Sequence, residues 1–306
     1  MPYDLTSPLV IGISSRALFD LEEENRIFEQ QGLAAYVEYQ VQNEETILKP
    51  GAGFELVKAF LRLNENEDGR RLVEVIIMSH NSPDTSLRIF NSVERYGLDI
   101  TRAVLSGGAS VAPYLEAFKT DLFLSSYPPD VQEAINTGVA AGILLTTGTA
   151  LNPKDKVDQI RIAFDGDAVL FGAEAERVFR HGGIAAFQEY ERSHADDPLP
   201  KGPFANFLMA LSNIQSMYPD REKAPIRTAL VTSRSAPAHE RAIKTLRQWK
   251  VRVDEAFFLG GVMKKDVLAK FGAHIFFDDQ HAHTDPASEV VASAVVPYRD
   301  GDDPSE

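Results

Sequence analysis

The chain has no cysteine in its 306 residues. That excludes disulfides, thiolate metal sites and cysteine nucleophiles, and it accords with a reducing cytoplasm. Positive charge is scarce. Lysine and arginine number 31 against 45 acidic residues, for a formal net charge of -14. Without a clustered basic stripe, no nucleic-acid partner is expected, and Arg70-Arg71 is too short a run to change that. Long apolar runs are also missing. A membrane span needs about 20 apolar residues, so no membrane partner is expected. The start, Met1-Pro2-Tyr3-Asp4, lacks the basic flank of a secretory signal. An acidic chain still accepts small anions, because one cation and a few placed donors decide the local field. The length suggests about two domains.

Strand and helix patterns alternate from the start. Pro8 to Ile13 reads as a strand ending at Ser14-Ser15-Arg16. Leu72 to Met78 is nearly continuous in apolar residues, as in a strand buried on both faces, and ends at Ser79-His80-Asn81. Short strands follow at Ala103–Leu105 and Asp121–Leu124, with helical patterns between them. The expectation is an α/β fold with a mainly parallel sheet.

The second half repeats the first. I-F-E-Q-Q-G-L-A-A-Y-V-E-Y (Ile27 to Tyr39) aligns with V-F-R-H-G-G-I-A-A-F-Q-E-Y (Val178 to Tyr190), an offset of 151. The same offset sets Ser14 on Asp165, Arg16 on Asp167 and Gly51 on Gly202. Past one small gap the offset is 153. It then sets Val111 on Lys264, and Ser125-Ser126 on Asp278-Asp279. The reading is a tandem duplication of a doubly wound, Rossmann-like lobe, with residues 1–150 and 151–306 as the two copies and the junction between Thr146 and Asp158. Acids and a lysine fill strand ends of the second copy where the first has Ser14, Arg16, Val111 and Ser125-Ser126. An active lobe beside a degenerate one has this pattern.

The stretch I-A-F-D-G-D-A-V-L-F (Ile162 to Phe171) ends an apolar run in two aspartates. At the carboxyl end of a parallel strand, one such carboxylate can attack and the other move a proton, or both can reach a cation. Asp-Gly also reads as an acidic turn. Three further strand ends join this one: the Thr232 hydroxyl after A-L-V, a lysine past Gly260-Gly261, and Asp278-Asp279 after H-I-F-F. Carboxylates, a hydroxyl and a lysine at one sheet edge suit phosphoryl transfer assisted by a divalent cation.

The ordered set resembles the haloacid-dehalogenase-like (HAD-like) phosphatases. The stretches F-D-G-D-A-V-L-F, P-L-P-K-G-P-F, L-V-T-S-R, F-F-L-G-G and I-F-F-D-D-Q are similar to the cytosolic 5'-nucleotidase type I family. S-S-R-A-L-F-D, S-H-N-S and L-S-G-G extend the resemblance into the first half. It implies a 5'-nucleotidase of the cytoplasm that hydrolyses nucleoside 5'-monophosphates, AMP or deoxynucleotides, with Mg²⁺. It makes Asp165 the nucleophile and Asp167 the general acid and then base. Thr232 and the Ser233 amide would hold the phosphoryl group. Lys264 would offset charge, with adjacent Lys265 as the alternative. The implied metal set is Asp165, the carbonyl of Asp167, Asp278 and Asp279.

Each lobe is expected to carry a helical cap, in the second lobe over about residues 172–223. There Phe179, Phe204 and Phe207 are candidates to stack on a base, against the alternative that they are core. Arg234 could reach a phosphate or ribose, or form a surface ion pair. His281 and His283 read as a solvated loop or as support for the acidic pair, and Asp300 to Glu306 as an acidic tail. The first lobe is either structural or a regulatory nucleotide site built from Ser14, Arg16, Ser79, His80 and Asn81. A sugar phosphatase and a non-catalytic nucleotide sensor are the alternative functions. The oligomeric state stays open, a homo-oligomer included.

Overall fold

The computed structural model describes residues 4–66, 69–145 and 159–302. The expected junction at 150, and the end of the acidic tail, lie outside them. Twelve strands are formed by the described residues. In the first half they are β1 (Leu9–Ile13), β2 (Phe19–Asp20), β3 (Lys49–Pro50), β4 (Val73–Ser79), β5 (Arg102–Leu105), β6 (Leu122–Ser125) and β7 (Ala140–Leu144). In the second they are β8 (Ile160–Phe164), β9 (Ile226–Thr232), β10 (Glu255–Phe258), β11 (Ile275–Asp278) and β12 (Ala292–Val295). β2 and β3 pair as a short antiparallel ribbon. The other ten form one sheet in the order β10-β9-β8-β11-β12-β7-β6-β1-β4-β5.

Every neighbouring pair in that sheet is parallel except the middle one, β12–β7. Outward from that seam the order is β7-β6-β1-β4-β5 on one side and β12-β11-β8-β9-β10 on the other. Each half therefore has the same strand order. The apolar runs are the buried strands: β1 and β4 are buried at every position, as a parallel sheet covered on both faces requires.

The two seam strands carry no signal that the sequence reading recognised. They contain Ala140, Ala141 and Gly142 in β7 and Ala292, Ser293 and Ala294 in β12, small residues of weak strand preference, and they pair at Leu144–Ala294 and Ile143–Val295. The packing accounts for the choice. A side chain at Gly142 would meet the Ala294 Cβ at 2.9 Å and the Phe277 ring at 3.3 Å. Small residues let the halves meet backbone to backbone.

The expected cap in the second half is corrected. The helix Glu174–Ser193 stays largely exposed, burying only Ala175, Phe187 and Glu191 among its described side chains. The helix Ala205–Ser216 does not. Phe204, Phe207, Leu208 and Leu211 form one apolar stripe at helical spacing, all buried. Phe204 and Phe207 pack on Phe164 of β8 and Phe277 of β11. They are core, and the base-stacking assignment for both is withdrawn because neither offers a face to a ligand.

Candidate active site

β8 and β11 are neighbours at the point where strand order reverses in the second half, the usual place for a ligand in an open α/β sheet. Asp165 follows β8 directly. Its backbone N–H donates to the Phe277 carbonyl of β11 at 2.8 Å, which ties the two strand ends together. The chain then winds through Gly166–Leu170, with Ala168 at φ +61°. A left-handed alanine costs conformational energy, and such strain gathers at functional sites. Asp278 is the last residue of β11 and Asp279 follows it. Lys264 opens the helix Lys264–Phe271.

These side chains converge. The Lys264 ammonium donates to Asp165 Oδ1 and to Asp278 Oδ2, at 2.6 Å each. Lys265 instead pairs with Glu289 at the surface. The structure thus brings Lys264, not Lys265, to the aspartates. One carboxylate oxygen from each of Asp165, Asp278 and Asp279 lies within 4.8 Å of the others, and all three residues are buried.

Three buried carboxylates and one ammonium leave the cluster short of positive charge. Burial, reinforced by Asp278, pushes Asp165 up to about 7, although Lys264 opposes the shift. Burial likewise pushes Asp279 up to about 8, with Asp165 and Asp278 adding repulsion. Asp278 goes the other way: burial disfavours its ionised form, but the His283 hydrogen bond and the Lys264 charge outweigh that and hold it low. Lys264 is raised, because its two carboxylates outweigh its own desolvation. Asp279 takes a hydrogen bond from the Tyr298 hydroxyl on Oδ2, while its Oδ1 is buried with no partner. An unsatisfied buried carboxylate oxygen is costly. The donor set, all oxygen and excess in negative charge, fits a hard divalent cation.

Asp167 lies apart from this cluster. Arg234 grips both its oxygens, Nε to Oδ2 at 2.8 Å and Nη2 to Oδ1 at 2.7 Å. The same guanidinium reaches Glu191, which Arg241 holds from the other side at 3.0 Å. Arg234 is 3% exposed. It is raised because Asp167 and Glu191 outweigh the cost of its burial. Its assignment to a phosphate or ribose is corrected: the ion-pair alternative holds, and the pair is buried rather than on the surface. The Asp167 carboxylate is likewise not among the three that group together.

Thr232 is buried, and its Oγ1 accepts the Arg234 amide at 3.2 Å. Ser233 between them is exposed. Phe179 is 47% exposed and meets Phe187 edge-on. His283 is not a solvated loop residue: its Nδ1 lies 3.1 Å from each oxygen of Asp278. The sequence reading gave no place to Glu191, Arg241 or Tyr298. A buried glutamate on an otherwise exposed helix is visible only once Arg234 and Arg241 are folded against it.

These features define an α/β protein with a lysine-bridged carboxylate cluster at the carboxyl edge of a parallel sheet. The chain belongs to the 5'-nucleotidase family, whose family model matches residues 1–303. It is similar to human cytosolic 5'-nucleotidase 1B, with 39% identity over 299 residues. That match covers 95% of this chain and 49% of the relative, so the chain spans about half the relative's length. No solved structure matches it significantly. Among the described residues, no helix is long and apolar enough to cross a membrane.

Proposed function

We propose that this chain hydrolyses nucleoside 5'-monophosphates to nucleoside and phosphate through an aspartyl-phosphate on Asp165. The observation that carries this reading is the Lys264 ammonium bridging Asp165 and Asp278 at 2.6 Å each, beside the unpartnered oxygen of Asp279. Family membership and the relative's name support the substrate class. An Asp165 oxygen attacks phosphorus while the bond to the ribose oxygen breaks. Asp167 delivers the proton that the leaving oxygen needs, then takes one from the water that cleaves the acyl phosphate. Because Arg234 holds both Asp167 oxygens, one arm of that fork must release during turnover. Thr232 and the Ser233 amide steady the phosphoryl oxygens, and Lys264 offsets charge on the nucleophile.

Asp165, Asp278 and Asp279 would hold Mg²⁺, with the Asp167 carbonyl as the further ligand that the family pattern implies. The cation would neutralise charge on the phosphoryl group. Phe179 remains as the aromatic candidate for the base. A cytoplasmic setting accords with the cysteine-free sequence and the relative's name.

We read the two halves as copies of one HAD-like lobe, 1–150 and 151–306, with only the second catalytic. Support comes from their common strand order and from matched details. Gly32 and Gly183 kink the equivalent helices at φ +83° and +68°. Gly51 and Gly202 each pass so close to backbone that a Cβ would collide, at 2.8 and 2.4 Å. Ser79 accepts the Asn81 amide as Thr232 accepts that of Arg234.

The test is phosphate release from a panel of nucleoside monophosphates and sugar phosphates, with Mg²⁺ and with excess chelator. Metal-dependent release from nucleotides, abolished in Asp165→Asn, is the expected result. Release from sugar phosphates alone would replace the substrate class.

A further inference from the structure

The first half has lost the acids yet kept a chamber. A cavity of about 670 Å³ opens at the carboxyl ends of β1, β4 and β6, within the range of small-molecule sites, roughly 300–1,000 Å³. By the repeat register it occupies the place that the carboxylate cluster holds in the second half. Its floor is hydroxylic: Ser14, Ser79 and Ser125 stand where Asp165, Thr232 and Asp278 stand in the other copy. Its mouth is aromatic. Phe28 and Tyr127 line it while 48% and 47% exposed, and Tyr36 lies edge-on to Phe28 at 5.9 Å.

Most charges on its wall are already partnered. Arg16, the sole lysine or arginine among the described lining residues, donates to Glu22 and Asn25, at 3.0 Å each. Asp130 meets His80 at 2.6 Å, and Glu24 pairs with Arg88 at 2.5 Å. Glu29 also lines the wall. A phosphate dianion entering here would face three carboxylates and one committed guanidinium. Among the described residues, the wall's carboxylates do not converge as Asp165, Asp278 and Asp279 do, so no grouped donor set holds a cation to mediate. Two donors are meanwhile left over: Asn81 Nδ2 and Arg16 Nε are buried with no partner, although both residues line the cavity. Asn81 cannot turn freely, since its Oδ1 accepts from the Tyr36 hydroxyl at 3.0 Å, which in turn accepts from Gln40. The site combines two buried, unpartnered N–H donors on lining residues, a hydroxyl floor, ring faces at the mouth and no spare positive charge.

We propose that this cavity binds an uncharged nucleoside, with the heterocycle at the aromatic mouth and its acceptors on Asn81 and Arg16, and the sugar hydroxyls toward the serines. The class is that of the proposed reaction's product, but binding at this site needs neither turnover nor metal. Of the two sequence alternatives, a structural lobe and a regulatory nucleotide site, this proposal takes the second with the dephosphorylated form as its ligand.

The experiment is calorimetric titration of the full chain in excess chelator with adenosine, guanosine, cytidine and uridine, their 5'-monophosphates, and inorganic phosphate. Wild type, Phe28→Ala, Asn81→Leu and Phe179→Ala are compared. Phe28 is half exposed, so its variant is expected to fold, and thermal unfolding checks Asn81→Leu. The expected result is one nucleoside bound per chain, weakened about 10-fold or more by Phe28→Ala and by Asn81→Leu, in line with a lost base–aromatic contact. Phe179→Ala should leave it within about twofold, and the matching monophosphate should bind at least about 10-fold more weakly. The proposal is overturned if no nucleoside saturates at millimolar concentration, if Phe179→Ala alone removes binding, or if the monophosphate binds the more tightly and Phe28→Ala weakens it. Phosphate release is measured separately, so a failed nucleoside site and a failed hydrolase reading stay distinct.

Discussion

Arg234 and Asp167 form a two-pronged ion pair, 2.8 and 2.7 Å, with the guanidinium almost wholly buried. A lysine cannot reproduce that fork. Arg234→Lys should therefore lower kcat about 100-fold while changing KM far less, because it misaims the carboxylate proposed to transfer the proton rather than a substrate contact. Arg241→Met removes the other partner of Glu191 and leaves the fork in place, so it should lower thermal stability with much less effect on kcat. Steady-state kinetics beside thermal unfolding of both variants checks this, and equal losses of kcat would defeat it.

Lys264 and Lys265 differ sharply in surroundings despite adjacency. Lys264→Met leaves Asp165 and Asp278 facing each other without their shared cation, and loss of one partner of a buried pair costs about 3–5 kcal/mol. Lys265→Met touches only the surface pair with Glu289 and should stay within about 0.5 kcal/mol. Urea unfolding in chelator measures both.

Metal-free protein should lose stability as pH rises. Asp165 and Asp279 have folded values of about 7 and about 8, above their ordinary carboxylate value near 3.8. A raised acid contributes its stability in full below the unfolded value and loses it as pH climbs through the folded one. Asp278, held low, acts only below pH 3.8 and does not offset this. In chelator, the melting temperature should fall between pH 5 and 8.5 by several degrees, at roughly 2–4 °C per kcal/mol for a chain of this order of size. Saturating Mg²⁺ should flatten the slope, and Asp165→Asn should reduce it. A slope unchanged by Mg²⁺ would remove the three aspartates from the metal assignment.

The aromatic residues divide cleanly. Phe207→Ala should cost about 3–5 kcal/mol, as a fully buried ring among Phe164, Phe204 and Phe277. Phe179→Ala should cost less than 1 kcal/mol or so, since the ring is half exposed. Its effect should appear in KM for nucleotides. A Phe179→Ala enzyme with unchanged KM across the nucleotide panel would leave the base to other groups.

Much of this was legible in the chain because strand-end chemistry is local. Asp165, Thr232 and Asp278 each follow an apolar run, and the parallel sheet collects such ends on one edge. Lys264 was narrowed to two neighbours, and only the helix orientation separates them. What stayed hidden depends on contacts between distant segments. Phe204 and Phe207 form a stripe that suits a cap helix or a core helix equally, and burial under β8 and β11 decides between them. The partners of Arg234 were not legible because Glu191 lies 43 positions away and on a helix with little else buried. The seam strands β7 and β12 were missed because close approach of two backbones selects small residues, and small residues do not read as strand.

That seam bears on how the chain is made. Among the described strands β12 comes last in the sequence, and it alone covers both β7 and β11. Until it arrives, the nascent polypeptide carries two bare strand edges at what will become the middle of the sheet, each able to pair with a neighbouring chain. Synthesis halted before Ala292 would retain all the proposed catalytic side chains yet present both edges permanently. Such a product should collect in the insoluble fraction, although the strand it lacks contributes no proposed catalytic side chain.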